Sequence, residues 1–197
     1  MDTPLVYVLW AGAAYLLGSV SFGDIVARLA GFPIRETGTG NPGAANIFRE
    51  MGPKYAAAVM ALDLGKGLIA TLPALLLDLS AWAGVAGTAG VLAGHFLPVF
   101  WGFRGGTGMV VAMGAGVGLI PFGALAAAPI ALVCVKLTKN AGYSGLAFFL
   151  AAAPVGWWLH DDPAGAIITL AGAGAVLVKS RIQYRNGQPG STGDEAT

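Results

Sequence analysis

The sequence predicts an all-α integral membrane protein with seven transmembrane helices, an external N-terminus and a cytoplasmic C-terminus. Of its 197 residues, 56% are hydrophobic and only 11% are charged, and the mean hydropathy is +0.71. Soluble domains carry about 25% charged residues, so a chain this apolar lacks the polar surface that water requires. The apolar residues also form continuous runs, which favour helices, whereas the strands of a membrane barrel would alternate apolar and polar positions.

The runs divide into seven spans, because a helix needs about 20 mostly apolar residues to cross a bilayer. The first run follows an acidic start, Met-Asp-Thr-Pro, and is interpreted as a retained span rather than a signal peptide. The stretch 109–135 is too long for one span, and we divide it at Pro121, which removes a backbone donor and disfavours helix in the preceding residue. The predicted spans are 5–27, 55–77, 82–100, 109–120, 122–138, 143–159 and 164–179.

Basic residues are distributed unequally on the two sides of these spans. Ten of the 11 Lys and Arg residues fall on the side of the C-terminus, and the remaining one, Lys66, lies inside a span. Cytoplasmic loops carry an excess of Lys and Arg, so this side is expected to be the cytoplasm. Six spans would separate Lys136 and Lys139 from Arg35 and Arg104, which supports the division of the long stretch. The opposite side is expected to hold Asp2, Asp78, His160, Asp161 and Asp162.

The sequence predicts one membrane domain, 1–185, followed by a disordered polar cytoplasmic tail, 186–197, which is rich in Gly, Ser and Pro. A net charge of +1 offers no basic surface for nucleic acid. The single cysteine, Cys134, can form no disulfide within the chain and lies in an apolar run.

Two glycine-rich segments on the predicted cytoplasmic side carry polar groups suited to an anion. The first loop, 37–46, reads Thr-Gly-Thr-Gly-Asn-Pro-Gly-Ala-Ala-Asn, and the second loop, 103–108, reads Phe-Arg-Gly-Gly-Thr-Gly. Glycine permits close approach of a ligand, and successive N–H groups can form a concave anion site. Arg49 and Arg104 add guanidinium groups that match phosphate, and the second loop precedes a predicted helix whose free N–H groups favour anions. Alternatively, the glycines, 31 in this chain, serve turns and close helix packing.

Three titratable residues lie inside the spans or near their ends. His95 is either a hydrogen-bonded structural residue or a general base within reach of a substrate hydroxyl. Asp63 and Lys66 are three residues apart and share a helix face. Charges at that depth are costly unless they are paired or face a cavity. This pair is therefore either an ion pair that braces the bundle or part of a polar cavity above the loops.

In this order, the motifs resemble those of the bacterial acyl-phosphate:glycerol-3-phosphate acyltransferase (PlsY) family. The resemblance spans nearly the whole chain and rests on Leu-Gly-Ser…Phe-Gly at 17–23, Gly-Thr-Gly-Asn-Pro-Gly-Ala-Ala-Asn…Arg at 38–49, Asp…Lys-Gly at 63–67 and Gly-His…Pro…Phe-Arg-Gly-Gly at 94–106. It implies a seven-helix enzyme of the bacterial inner membrane. Such an enzyme transfers an acyl group from acyl phosphate to the 1-hydroxyl of glycerol 3-phosphate, giving lysophosphatidic acid and phosphate for phospholipid biosynthesis. The resemblance implies no metal or other cofactor, no acyl-CoA, no acyl carrier protein and no required protein partner.

The resemblance also implies which residues form the site. Thr39, where the family has a serine, is expected to act in catalysis together with Arg49 and His95. Arg104 stands where the family has a lysine. Substrate phosphate is expected to bind to both loops and to the end of the last span, through Gly38, Gly40, Asn41, Gly43, Asn46, Arg104, Gly105, Gly106, Thr107, Gly108, Lys179 and Arg181.

Two departures from the family pattern leave alternatives open. Thr107 stands where a lysine is expected to hold substrate phosphate, and a neutral donor contributes less than a charged one. The stretch 179–183 lacks the histidine and asparagine of the last family motif, with Ser180 at the histidine position. A divergent paralogue with reduced activity or another acceptor is therefore a second hypothesis. A small transporter is a third, suggested only by Asp63 and Lys66.

Overall fold

The computed structural model describes residues 3–77, 79–160 and 163–187, and within these ranges the chain is almost entirely helical. Two short 3-10 turns, Ile34–Glu36 and Val99–Trp101, lie in the connections. Asp2, Asp78, Asp161, Asp162 and residues 188–197 of the expected tail lie outside the described residues. The described part forms nine α-helices: α1 Pro4–Gly18, α2 Phe22–Leu29, α3 Ala44–Met51, α4 Pro53–Leu76, α5 Ala81–Phe96, α6 Met109–Leu119, α7 Pro121–Thr138, α8 Ala141–His160 and α9 Pro163–Gly187.

Six helical stretches of the described chain are long and apolar enough to cross a membrane, and α6 is a shorter apolar helix. At 1.5 Å per residue the 11 residues of α6 extend about 16 Å, roughly half of a hydrocarbon core of about 30 Å. Large side chains on the outer surface remain exposed, such as Leu5 at 66% and Val8 at 68%, and lipid can cover them. The chain is therefore an all-α, multi-pass membrane protein.

The predicted span 5–27 coincides with a stretch long and apolar enough to cross a membrane, Pro4–Leu29, but its helix breaks at 19–21 into α1 and α2, which was not predicted. The break frees main-chain carbonyl groups that a continuous helix would use for its own hydrogen bonds. The carbonyls of Gly18 and Val20 instead accept hydrogen bonds from the Lys66 ammonium at 3.3 and 2.8 Å. After the break, Ser21 stands at the N-cap position of α2 and donates its hydroxyl to the side chain of Asp24 in the first turn at 2.5 Å.

The predicted division at Pro121 is confirmed, since α6 ends at Leu119 and α7 begins with Pro121. Proline is well placed there because the first residue of a helix has no use for its own N–H group. The last helix continues to Gly187, two residues into the segment for which a tail is expected.

Helix α3 begins within the predicted first loop, at Ala44, and extends past Arg49 to Met51. Gly52, with φ of +93°, ends α3, and Pro53 begins α4 directly afterwards. Ile47 of α3 is 0% exposed and packs in a small core with Ala27, Ile34, Ala56 and Val59. This core fixes the first loop to the ends of α2 and α4.

Glycines allow close helix packing and reveal the relative directions of the helices. A Cβ on Gly67 of α4 would overlap the main chain of α6 at Val111, and Gly118 of α6 lies against Thr71 of α4. Because both residue numbers increase together along the contact, α4 and α6 run in the same direction.

The remaining contacts show the opposite direction for α1, α5 and α9. Gly87 of α5 lies against Trp10 of α1 and Gly94 lies against Tyr15, so α1 and α5 are parallel to each other. Gly165 of α9 lies against Leu119 at the end of α6, whereas Lys179 further along α9 reaches Phe96 before α6 begins. Helix α9 therefore runs opposite to α6 and parallel to α5.

Candidate functional site

The first loop is shaped by the buried side chain of Asn46. Its Oδ1 accepts a hydrogen bond from the main-chain N–H of Thr39 at 3.0 Å, and its Nδ2 donates to the carbonyl of Thr37 at 3.0 Å. Asn46 is only 1% exposed and lies in the first turn of α3. Gly38, with φ of +59°, leaves room for the Asn46 oxygen, because a Cβ there would come within 2.5 Å of it. The Asn46 amide therefore fixes the conformation of the first loop through its main chain at Thr37 and Thr39.

The second loop lies directly against His95 at the end of α5. A Cβ on Gly105 would overlap the carbonyl oxygen of His95, and Gly108 packs against the ring of Phe96. A Cβ on Gly106 would lie 2.7 Å from Nε2 of His95 and 3.1 Å from Oδ1 of Asn41. Gly106 is thus the point where the second loop, the first loop and His95 meet. As predicted, this loop leads directly into a helix, α6, which begins at Met109.

His95 belongs to a buried polar cluster inside the bundle. The Lys66 ammonium lies 2.9 Å from Nδ1 of His95 and forms an ion pair with Asp63 at 3.0 Å. Asp63, Lys66 and His95 are 3%, 2% and 5% exposed. Asp63 and Lys66 thus form an ion pair, one of the two alternatives left open by the sequence, and Lys66 also connects this pair to His95 and to the break between α1 and α2.

A second charged pair, Asp24 and Arg35, connects the start of α2 to the second loop and was not predicted from the sequence. Arg35 donates from Nε and Nη2 to the carboxylate of Asp24 at 2.7 and 2.6 Å, and from Nη2 to the carbonyl of Arg104 at 2.7 Å. Asp24 is 3% exposed. One signal was present in the sequence, since Asp24 is a carboxylate inside a predicted span and such residues need a partner.

The ring of Trp101 lies next to Arg35 and contacts two guanidinium groups. The guanidinium of Arg28 lies 4.4 Å from the ring centroid of Trp101, and that of Arg35 lies 6.0 Å from it. A cavity of about 170 Å³ lies here, lined by Asp24, Arg28, Arg35 and Trp101 together with neighbouring residues of the 3-10 turn Ile34–Glu36. Its walls come from α2, from this turn and from Trp101. Neither His95 nor a residue of either glycine-rich loop lines the cavity.

The other expected phosphate ligands lie around the loops with different surroundings. Lys179 of α9 donates at 3.3 Å to the carbonyl of Phe96 at the end of α5, and Gly105 of the second loop packs against the same carbonyl. Arg49, Arg104 and Arg181 are exposed, and their guanidinium groups form no hydrogen bond or ion pair with the described side chains. Thr107 is half-buried, and Thr39 is exposed.

Further positions in the first loop serve its turns. Oδ1 of Asn41 accepts from the N–H of Gly43 at 3.1 Å, which forms an Asx turn before α3. Gly40, with φ of +65°, approaches the carbonyl of Arg35, where a Cβ would lie at 2.8 Å. The loop is therefore anchored to the same arginine that contacts the second loop.

Comparisons with known proteins agree with this arrangement. A family model described as glycerol-3-phosphate acyltransferase matches residues 8–186. A glycerol-3-phosphate acyltransferase of Pseudomonas paraeruginosa is 36% identical over 175 residues, covering 86% of this chain and 89% of that protein. One of Geobacter metallireducens is 43% identical over 122 residues, and this match covers 61% of this chain and 62% of the relative, slightly less than two thirds of its length.

The fold is also similar to that of a solved structure. PlsY (YgiH), an integral membrane glycerol 3-phosphate acyltransferase in its glycerol 3-phosphate form, matches with a TM-score of 0.80 and 29% identity, covering 92% of this chain and 91% of that chain. Together, the family match over most of the sequence, the relative above 30% identity and the similar fold show that the chain belongs to the glycerol-3-phosphate acyltransferase family.

Proposed function

We propose that this protein transfers an acyl group from acyl phosphate to the 1-hydroxyl of glycerol 3-phosphate, giving lysophosphatidic acid and phosphate. The observation that carries the proposal is the meeting of two glycine-rich loops at Gly106, beside His95. Both substrates carry a phosphate group, and each loop offers main-chain N–H groups where a side chain would block access. An acyl chain can enter such a site from the surrounding lipid.

The chemistry of acyl phosphate suits a site built for positioning. The hydroxyl oxygen of glycerol 3-phosphate attacks the carbonyl carbon, and the bond from that carbon to the phosphate oxygen breaks. Phosphate leaves with the bonding electron pair, and in the net reaction it also takes up the hydroxyl proton. Because phosphate is a good leaving group, catalysis can rest on orientation and on stabilisation of developing charge, with no covalent intermediate on the protein.

We assign roles to the charged and hydroxyl groups at the opening of the loops. The exposed guanidinium groups of Arg49 and Arg104 are free to bind phosphate oxygens in pairs. Lys179 adds a cation next to the second loop, and Arg181 follows it on α9. The Thr39 hydroxyl serves as a hydrogen-bond donor to the substrate.

The assay uses purified protein in detergent with acyl phosphate and glycerol 3-phosphate, and it measures lysophosphatidic acid and acceptor-dependent phosphate release. Thr39→Ser retains a hydroxyl and should keep most of the activity, whereas Thr39→Ala should lower it about tenfold or more. The absence of both products above a protein-free blank would reject the proposal.

We further propose seven membrane crossings, an external N-terminus and a location in the bacterial inner membrane. The alternating helix directions and the ten basic residues on one side support this topology. Lys54 and Leu77 are exposed at opposite ends of α4. In a Cys134→Ala background, an impermeant maleimide added to intact cells should label Leu77→Cys and spare Lys54→Cys. The reverse pattern would overturn the orientation.

A divergent paralogue is the alternative that a specific observation favours, because Thr107 and Ser180 are neutral where the family pattern has lysine and histidine. Thr107→Lys combined with Ser180→His should then raise the rate or lower the KM for glycerol 3-phosphate. No gain with either substrate would reject this alternative. The transporter hypothesis loses its only support, since Asp63 and Lys66 form a buried ion pair.

A further inference from the structure

We propose that Lys66 holds His95 in the neutral tautomer that carries its proton on Nε2, so that His95 acts on the substrate as a hydrogen-bond donor and not as a general base. The proposal assigns a role within the reaction proposed above and rests on it for the kinetic consequence. The tautomer itself can be measured independently of any activity.

The argument begins with the groups around the Lys66 ammonium. Nζ lies 3.3 Å from the carbonyl oxygen of Gly18, 2.8 Å from that of Val20 and 3.0 Å from the carboxylate of Asp63. Its fourth neighbour is Nδ1 of His95 at 2.9 Å. The first three can only accept hydrogen bonds, because neither a carbonyl nor a carboxylate oxygen has a proton to donate.

An ammonium group suits these surroundings better than a neutral amine. Its positive charge lies 3.0 Å from the buried carboxylate of Asp63, and its three N–H donors match the hydrogen bonds to Gly18, Val20 and His95. An amine would have only two donors and no charge to offset that carboxylate. A buried charge without a partner destabilises the folded chain. The adjacent carboxylate of Asp63 also favours the charged lysine.

The charged form of Lys66 determines the tautomer of His95. An ammonium has no lone pair, so Nδ1 of His95 must be the acceptor at 2.9 Å and carries no proton. A neutral imidazole that lacks a proton on Nδ1 carries it on Nε2. The doubly protonated imidazole is excluded by the same contact, because it would direct an N–H group at the ammonium.

The proton on Nε2 is directed to the meeting point of the two loops. Nε2 lies beside Gly106, where a Cβ would come within 2.7 Å of it, and no hydrogen bond joins it to a described residue. A general base would need an unprotonated nitrogen at this position. The Nε2–H group can instead donate to a substrate oxygen on which negative charge develops. Lys66 is therefore a positioning residue that acts through His95.

Nuclear magnetic resonance tests the tautomer directly, because the chain has only two histidines. With ¹⁵N-labelled histidine, the two ring nitrogens of a neutral imidazole give separate signals, and the nitrogen coupled to both ring C–H protons is Nε2. We expect Nε2 of His95 to be the protonated nitrogen. His160→Gln leaves only the pair of ring-nitrogen signals from His95, and loss of one pair in His95→Gln gives the same assignment in the otherwise unchanged chain. A protonated Nδ1, or an imidazolium, would overturn the proposal.

The double variant Asp63→Asn with Lys66→Met tests the role of Lys66. It removes the ammonium without leaving a buried carboxylate unpaired, which makes it a better test than Lys66→Met alone. We expect His95 in this variant to populate both tautomers. An unchanged spectrum with only Nε2 protonated would show that Lys66 does not set the tautomer.

Kinetics test the donor role. The amide nitrogen of glutamine can donate from nearly the position of Nε2 but cannot take up a proton as a base. We expect His95→Gln to keep kcat within about tenfold of the unmodified protein, and His95→Ala to lower kcat about 100- to 1,000-fold, as loss of a transition-state donor does. Equal losses in two folded variants would identify a base and overturn the proposal. An unmodified protein without activity would reject the proposed reaction while leaving the tautomer result valid.

Discussion

Replacing Arg35 with methionine should separate the two glycine-rich loops. Arg35 precedes the first loop, binds Asp24 at the start of α2 through two hydrogen bonds and contacts the carbonyl of Arg104 in the second loop at 2.7 Å. One side chain therefore fixes three segments that are far apart in the sequence. Methionine keeps a similar length of apolar side chain and removes all three hydrogen bonds.

The expected magnitude follows from the burial of the two partners. The side chain of Asp24 is 4% exposed and that of Arg35 is 32% exposed, so solvent screens only one end of the ion pair. Removing one partner of a buried pair costs about 3–5 kcal/mol, and the exposure of Arg35 favours the lower end of this range. This cost in folding stability sets the upper bound for the kinetic effect: if all of about 3 kcal/mol were lost from the stabilisation of the transition state, kcat/KM would fall about 100-fold, since 1.36 kcal/mol corresponds to a factor of ten.

A double-mutant cycle separates loss of the link from general damage. We expect Arg35→Met and Asp24→Asn each to lower kcat/KM, and the double variant to be no more than about threefold worse than Arg35→Met alone, because residues in direct contact are not additive. Acceptor-dependent phosphate release gives the rates, and a melting curve in detergent reports folding. Lys54→Met is the matched control, because it removes an exposed cation from the start of α4.

Two results would refute this reasoning. One is an Arg35→Met protein within threefold of the unmodified activity, which would show that the link does not hold the loops. The other is full multiplication of the two single effects in the double variant, which would show that Asp24 and Arg35 act independently.

Three further substitutions test the geometry of the site. Gly106→Ala should lower kcat/KM about 100-fold, because its Cβ would force both loops apart by a few tenths of an ångström or more, whereas Gly12→Ala, with no atom within 4 Å of its Cβ, should leave the rate unchanged. Asn46→Asp should raise the KM for glycerol 3-phosphate about tenfold, because an oxygen replaces the amide donor inside the first loop. Lys66→Met should destabilise the protein by about 3–5 kcal/mol, and adding Asp63→Asn should restore most of the melting temperature.

The sequence predicted the regular parts of the fold because apolar length and proline position determine them locally. The starts of α5 at Ala81 and of α7 at Pro121 each lie one residue from their expected positions, whereas α5 ends at Phe96, four residues before the expected end. The short helix α3 was not predicted, because it is stabilised by packing of its one buried apolar residue, Ile47, against α2 and α4. Eight residues with one buried apolar position carry too little periodicity to distinguish a helix from a loop.

The site was predictable where it depends on residue type and not where it depends on partners. Glycines and arginines in two loops indicate an anion site, but nothing in their spacing shows that Gly106 meets Asn41. Likewise, Asn46 suggests a ligand for phosphate, whereas its amide is hydrogen-bonded to the first loop at Thr37 and Thr39. A side chain that shapes a loop and one that binds a ligand have the same appearance in a sequence.

The charges buried in the helices show why this difference matters for function. The spacing within α4 predicts that Asp63, three residues away, is the partner of Lys66. Because this pair already neutralises both charges, the sequence indicates no further partner. The ammonium nevertheless has donors left, and its other neighbours lie on two different segments, at the break after α1 and at His95 of α5. Buried donors inside a membrane bundle need acceptors from the chain itself, and the break between α1 and α2 supplies two main-chain carbonyls. The same buried lysine therefore contacts both the break at 19–21 and the ring of His95 whose tautomer we propose that it sets.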